Sequence, residues 1–444
     1  MSISPARIAA FEILLRVEQQ DSYASELLHS ARYAKLSAPD HGLATELVMG
    51  VLRWQSVLDA QIADRSSQKL SRLDPEVLTA LRLAAYQLLF LDRVPQHAAV
   101  HEGVELVKRA RKRSAVSFAN AVLRKLGGSG KPDPRSAIAQ ARRPAELSEA
   151  AAHPLWLVQR WVGQFGFDVA RQICSYDQQI PETTIRLSNT SLEKQLKDQK
   201  IQLAPGRLLN SVRRVLAGDV THTHLFRDGQ ITVQDEASQL VALLVGEGTS
   251  ILDCCAAPGG KTSVIAERNP NAIVVAAELH PHRARLLQKR ITTKNVRIIA
   301  ADACRLPLTV TFDCVLADVP CSGTGTLARN PEIKSRLQPQ DLIDLQARQV
   351  AILQSATQQV ASGGRLVYFT CSLEPEENVR VVEQVLSPDD SFRVLDCRLE
   401  LERLRSQGEL VWQDIGSLTS GPYLRTIPGV HPCDGFFGAI LEKR

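Results

Sequence analysis

Ile251-Leu-Asp-Cys-Cys-Ala-Ala-Pro-Gly-Gly-Lys-Thr262 is the stretch whose reading decides the fold. Ile251 and Leu252 end a short apolar run with the look of a buried parallel strand. Pro258, Gly259 and Gly260 cannot continue it, and Lys261 to Glu267 reads as the start of a helix. Strand, glycine turn and helix let backbone N–H groups approach a nucleotide-like ligand unobstructed by side chains. The turn is not a GxGxxG fingerprint. Nor is it a P-loop, because only Gly259 and Gly260 precede Lys261.

Outward from this turn, strands and helices alternate. Strands are expected to end at Asp253 and near Ala277, Ala300, Ala317 and Phe369, with helices over 282–291, 341–360 and 376–386 between them. Such alternation predicts a mostly parallel sheet covered on both faces, closed by an apolar strand over 435–441. Ligands of such sheets bind beyond the carboxyl ends of the strands, and the polar residues fall there. Glu278 lies 19 residues after Gly259, the spacing at which an acid meets a ribose hydroxyl. Asp302 ends the next strand, Asp318-Val-Pro-Cys-Ser-Gly-Thr-Gly325 the one after, and Thr370-Cys-Ser372 a further one. One such acid is as readily a helix cap; successive strands ending this way suggest a site.

Of the nine cysteines, Cys174, Cys314 and Cys397 read as small buried hydrophobes. Cys321 and Cys371 instead follow strands, beside serine, in polar loops where a thiolate can be stabilised, which suggests nucleophilic catalysis. An odd cysteine count without CxxC spacing argues against a disulfide framework and against a metal site, and fits a reduced, cytoplasmic protein. No apolar run approaches the ~20 residues of a membrane span, and Met1 to Arg16 has no signal-peptide pattern, so neither membrane insertion nor export is expected.

Residues 1–126 read as helix. Ile8, Phe11 and Leu15 share one face, as do Val77, Leu81, Ala84, Leu88 and Leu91, and Asp74-Pro75 forms a helix start. Pro95 stops that helix, and a further helical run is expected from Ala99 through Leu126. Gly127 to Pro134 reads as a linker. Strand Thr183 to Asn189 and a turn, strand and helix entry over Phe226 to Glu236 mark a small α/β module. The net charge of +5 resides in residues 1–135, with 19 Lys and Arg against 14 Asp and Glu. The densest cluster is Lys108, Arg109, Arg111, Lys112 and Arg113: a solvated helix face, or a patch for nucleic-acid phosphates.

Asp253 to Lys261, Asp318 to Gly325 and Thr370-Cys-Ser-Leu373 resemble motifs I, IV and VI of RNA cytosine-5 methyltransferases, most nearly the Sun/Fmu (RsmB) type that acts on small-subunit ribosomal RNA. Gly50-Val-Leu-Arg53, Tyr86-Gln-Leu-Leu89, Pro95 to Glu102 and Asn120 to Arg124 resemble the NusB-like RNA-binding domain fused to those enzymes. The resemblance implies a helical domain over 1–130, a small α/β connecting, RNA-recognition-like module over 145–235, and a Rossmann-like class I methyltransferase domain over 236–444. It implies S-adenosylmethionine as cofactor, without metal, lined by Cys255, Ala256, Ala257, Pro258, Gly259, Gly260, Lys261, Glu278, Asp302 and Asp318. By the same resemblance Cys371 is the nucleophile toward cytosine C6, Cys321 assists product release, and Asp318 holds the cytosine edge. The implied partner is small-subunit (16S) ribosomal RNA before the subunit is fully assembled, met by a monomer. A transfer-RNA cytosine-5 methyltransferase and an RNA-binding assembly factor with a vestigial catalytic half stand as alternatives. The first is disfavoured by the NusB-like part, the second by the intact pair of cysteines. A thiol protease would need a histidine partner that the sequence does not offer.

Overall fold

The computed structural model describes every residue except Met1, Ser2, Asp21, Ser129, Thr190, Pro388 and Asp389. The chain forms two compact units. The first comprises residues 1–180 with Leu327–Arg336, the second 181–326 with 337–444. Residues 145–180, grouped above with the connecting module, are helical and lie in the first unit.

The first unit is helical, and its central helix is Pro75–Phe90. The spacing of Val77, Leu81 and Ala84 suggests a single buried stripe, yet twelve of the sixteen residues are buried, so neighbours surround this helix. Helix Ala38–Arg53 crosses it closely: a Cβ at Gly50 would fall 2.0 Å from Tyr86 Cζ. Tyr86 keeps its hydroxyl satisfied by donating to Glu46 Oε1 at 2.6 Å. Asp74 occupies the N-cap of the central helix with its carbonyl accepting from Val77 and Leu78 N–H, but its side chain caps no helix N–H and pairs with Lys112 at 3.2 Å instead. The run expected from Ala99 to Leu126 is two helices, Gln96–Arg109 and Val116–Gly127, broken where Arg111 turns to φ +62°. The expected linker shrinks to the residues between Gly127 and a helix starting at Pro134; its Ser129 lies outside the described residues.

The segment Leu327–Arg336 is held inside this helical unit by buried polar groups. Ala24 N–H donates to Glu332 Oε1 at 2.8 Å, Lys334 Nζ to the Arg53 carbonyl at 2.7 Å, and Arg336 to the Ser22 carbonyl at 2.7 Å. Periodicity gives no hint of this, because the segment follows a strand of the other unit in sequence.

The second unit has two sheets. Strands β1 (Thr183–Leu187), β2 (Gln202–Pro205), β3 (Val212–Ala217) and β4 (Ile231–Val233) form a small antiparallel sheet in the order β2-β3-β1-β4. It closes over Ile185, Leu192, Leu196, Val220 and Ile231. The larger sheet contains β5 (Ser250–Asp253), β6 (Ile273–Glu278), β7 (Val296–Ala300), β8 (Phe312–Asp318) and β9 (Val360–Thr370). These run parallel in the order β7-β6-β5-β8-β9. Beyond β9 the sheet turns antiparallel through β10 (Phe392–Leu395), β11 (Thr419–Ser420), β12 (Tyr423–Thr426) and β13 (Phe436–Lys443). The sheet is therefore mixed rather than mostly parallel. Strand direction was the part that alternation of apolar runs could not specify for β13. Alternate residues of β8 and β9 serve opposite cores: Leu316, Val367 and Phe369 on one face, Val315, Leu366 and Tyr368 on the other.

Candidate active site at the carboxyl edge of the parallel strands

From β5 the chain order runs outward in both directions, to β6 and β7 on one side and to β8 and β9 on the other. The crevice of such a sheet lies at this reversal, beyond the carboxyl ends of β5 and β8. The loop after β5 is tied to both neighbours: Cys254 N–H donates to the Leu316 carbonyl at 2.8 Å and Ala256 N–H to the Ala277 carbonyl at 2.9 Å. Ala257 and Pro258 are joined by a cis peptide. Gly259 follows at φ +106°, in the left-handed region that costs glycine little, and caps helix Gly260–Arg268. Asp253 is buried below the turn, accepting from Thr262 Oγ1 at 2.7 Å and more weakly from Cys255 N–H at 3.4 Å. Burial pushes the Asp253 carboxyl up to about 6, against the opposing effect of the Thr262 bond.

Lys261, first seen as a helix starter, reaches across to β8. Its ammonium donates to Asp318 Oδ2 at 2.7 Å and stands 5.1 Å from the centre of the Phe369 ring. Burial alone would lower its pKa; the Asp318 charge and hydrogen bond more than reverse that, with a smaller contribution from the Cys371 sulfur. Glu278 is buried at the end of β6, with Oε1 accepting from His280 N–H at 2.9 Å. Asp302 is exposed and caps a 3-10 turn by accepting from Cys304 N–H at 2.9 Å.

The two singled-out thiols meet. Cys321 Sγ and Cys371 Sγ are 3.2 Å apart, and Cys371 N–H points at Cys321 Sγ at 3.3 Å. The hydrogen bond to Cys371 and burial both raise the Cys321 pKa well above the ordinary thiol value. Cys174, Cys314 and Cys397 are buried with raised pKa values, as inert core thiols should be.

Beneath the thiols lies a residue that sequence reasoning missed. Glu377 is fully buried and accepts from Ser322 N–H at 2.7 Å, from the hydroxyls of Ser322 and Ser372, and from Gln349 Nε2 at 2.9 Å. Ser322 and Ser372 are the residues immediately after Cys321 and Cys371, so one carboxylate ties both cysteine loops together. Thr324 Oγ1 adds a second tie, accepting from Leu373 N–H at 2.9 Å. In sequence, Glu377 looks like any acid at a helix entry.

The cluster 108–113 belongs to the helical unit, and much of its charge is already matched. Lys108 pairs with Glu105 at 2.6 Å, Arg109 with Glu12 at 3.5 Å, and Lys112 with Asp74 and Glu76. Arg111 and Arg113 are exposed. Among the described residues no group of His, Cys, Asp and Glu could hold a metal ion, and no helix is long and apolar enough to cross a membrane.

A NusB-type helical domain joined to a Rossmann-like methyltransferase domain is the class that this fold and site define. The chain belongs to the 16S rRNA methyltransferase RsmB/F family, whose model matches residues 240–442, while the NusB family model matches residues 4–127. It is 32% identical over the whole length of both chains to a Bacillus subtilis (strain 168) protein named "Probable ribosomal RNA small subunit methyltransferase B". A Vibrio cholerae protein named "Ribosomal RNA small subunit methyltransferase B" is 30% identical, covering 100% of this chain and 98% of its own. Among solved structures, that of PH0851 shares the fold with a TM-score of 0.81 at 24% identity, covering 100% of each chain.

Proposed function

We propose that this RNA methyltransferase transfers a methyl group from S-adenosylmethionine to C5 of a specific cytosine in small-subunit ribosomal RNA, through a covalent bond between Cys371 and cytosine C6. The observation that carries the reading is the pair of thiols 3.2 Å apart, beside the Lys261–Asp318 pair, at the carboxyl ends of neighbouring strands. C5 of cytosine is a weak nucleophile, and an attacking thiolate on C6 turns the ring into an enamine. An enzyme with that task needs a nucleophile, and a second group to help reverse the addition.

The residues at the edge of β5, β6 and β7 fit the cofactor. Gly259 gives the backbone a turn without a side chain, and the buried Glu278 offers a carboxylate where a ribose diol would lie. When bound, S-adenosylmethionine supplies a methyl carbon made electrophilic by its sulfonium. Cys371 adds to C6, and the electron pair it displaces lets C5 take the methyl group. Loss of the C5 proton then expels the Cys371 thiolate and restores the aromatic ring. Cys321, 3.2 Å from Cys371 Sγ, is placed to take that proton as its thiolate, which the hydrogen bond and burial that raise its pKa make a strong base. Asp318 gives Oδ2 to Lys261 and would turn Oδ1 to the cytosine N3/N4 edge. Reaching a stacked base costs a few kcal/mol, which contacts to the RNA backbone would offset.

Bisulfite mapping of ribosomal RNA from a strain lacking the gene tests the assignment. One cytosine of the small-subunit RNA should lose its protection and regain it on complementation. Unchanged small-subunit RNA with a new unprotected cytosine in a transfer RNA would replace the assignment with the transfer-RNA reading.

A further inference from the structure

A second cationic surface lies outside the 108–113 cluster. Between Leu279 and Ala301 the chain carries six cations, Arg283, Arg285, Lys289, Arg290, Lys294 and Arg297, and no acid. That one stretch contributes more positive charge than the chain's whole net +5. Among the described residues none of the six is in an ion pair. Several arginines elsewhere in the same unit are matched, as Arg186 is by Glu267, Arg213 by Glu193 and Arg268 by Glu409. Five of the six are exposed, and Arg283 is half-buried. The nearest acids in sequence are otherwise engaged: Glu278 is buried against His280 N–H and Asp302 caps Cys304.

Placement makes this more than a solvated face. Helix Pro281–Arg290 buries Ala284 and Leu287, and Leu287 packs with Ala256 of the glycine turn and Ala276 of β6. Its approach to the turn is close: a Cβ on Gly259 would fall 2.6 Å from Leu287 Cδ1. Arg285, Lys289 and Arg290 therefore stand on the outer side of a helix whose inner side rests on the cofactor loop, about one helix diameter, ~10 Å, away. Lys294, two residues before β7, and Arg297, near its amino end, extend the same charge to the outermost strand of the parallel part of the sheet. Six unpaired cations over a rod and an adjoining strand match the spaced phosphates of a nucleic-acid backbone, and an unpaired cation loses little on meeting one.

We infer that helix Pro281–Arg290, with Lys294 and Arg297, is a surface that grips the phosphate backbone of the RNA substrate on the flank of the sheet next to the cofactor loop. This rests on the RNA methyltransferase reading above and adds a binding face on the catalytic unit itself. It leaves the helical unit as a separate source of RNA affinity.

The test uses the full chain and deproteinised small-subunit ribosomal RNA made by transcription. A variant with Arg285→Gln, Lys289→Gln, Arg290→Gln and Lys294→Gln should bind this RNA about 10- to 100-fold more weakly at low salt. The slope of log affinity against log salt should flatten by about 0.7 for each phosphate that is no longer neutralised. Affinity for S-adenosylmethionine, read by calorimetry, should stay within about twofold and reports that the loop beneath the helix is intact. If the fourfold variant loses cofactor binding, the single exposed change Lys289→Glu replaces it, with an expected decrease of about 3- to 10-fold in RNA affinity. Unchanged RNA affinity and salt slope with cofactor binding retained would overturn the surface while leaving the catalytic reading standing. Wild-type protein that binds no RNA would overturn both.

Discussion

Cys321 Sγ lies 3.2 Å from Cys371 Sγ, and the backbone N–H of Cys371 is directed at the Cys321 sulfur rather than away from it. Two thiols this close would reach the same substrate atom or neighbouring ones, and the tasks proposed for them can be separated by substitution. If Cys371 attacks C6, Cys371→Ala should reduce methyl incorporation to background and form no RNA adduct. Cys321→Ala should still attack and methylate, then stall at elimination, leaving protein joined to methylated RNA on a denaturing gel. An adduct from Cys371→Ala with none from Cys321→Ala would reverse the two roles.

Glu377 should matter to both thiols without touching substrate. Glu377→Ala leaves Ser322 N–H without its acceptor, strips Gln349 Nε2 back to the Pro320 carbonyl, and frees two buried serine hydroxyls, at about 1–3 kcal/mol for each group left unsatisfied. The expected loss is about 3–5 kcal/mol of stability, read by chemical denaturation. Glu377→Gln keeps the shape and one acceptor oxygen, and the serine hydroxyls can rotate to meet its amide. It should fold, bind S-adenosylmethionine within about twofold of wild type, and lose about 10- to 100-fold in kcat with little change in KM, because a misplacement of about 1 Å costs that much. A kcat within twofold of wild type would show that the cysteine loops hold their positions without it.

The cofactor turn is sensitive at Gly259 more than at Gly260. A Cβ at Gly260 would stand 3.2 Å from Gln234 Nε2, the movable end of a side chain, so Gly260→Ala should weaken S-adenosylmethionine binding modestly and Gly260→Val severely. At Gly259 even alanine meets Leu287 Cδ1 at 2.6 Å with φ at +106°, which strains both the backbone and the helix behind it. Gly259→Ala should lower stability by about 1–3 kcal/mol and cofactor affinity by more than tenfold. Calorimetric titrations giving all three variants the affinity of wild type would remove the turn from the cofactor site.

What was legible in the sequence shares a physical cause. The ends of β5 to β9 could be read because buried parallel strands are short apolar runs that stop at polar residues. Asp253, Glu278, Asp302, Asp318, Cys321 and Cys371 were therefore all expected at the carboxyl ends of these strands, where the structure has them. Pairings across long sequence separations were not legible. The cations at 108–113 drew attention by density, yet Glu12, Asp74 and Glu76, far away in sequence, offset two of them. The six cations of 279–301 are more widely spaced, so their lack of partners emerged only from the fold. Glu377 and Glu332 were invisible for a related reason: a buried carboxylate has no periodic signature and is recognised only by the donors around it.

Asp253 gives the molecule a stability that depends on pH in a predictable direction. Its folded-state pKa of about 6 lies above the 3.8 of an unperturbed aspartate, because burial disfavours the charged form. Between these values the native protein retains a proton that the unfolded chain has shed. Stability from this group is therefore fully present below pH ~4 and declines as pH rises toward 6, by up to about 3 kcal/mol at 1.36 kcal/mol per unit. Asp253→Asn removes that titration and keeps an oxygen and an amide to meet Cys255 N–H and Thr262 Oγ1. The variant should be about 1–3 kcal/mol more stable than wild type at pH 8, and the gap should close between pH 6 and pH 4. Urea denaturation at pH 4.5, 6 and 8 measures both slopes. A gap that stays constant across the three values would mean that Asp253 ionises as freely in the fold as it does in the open chain.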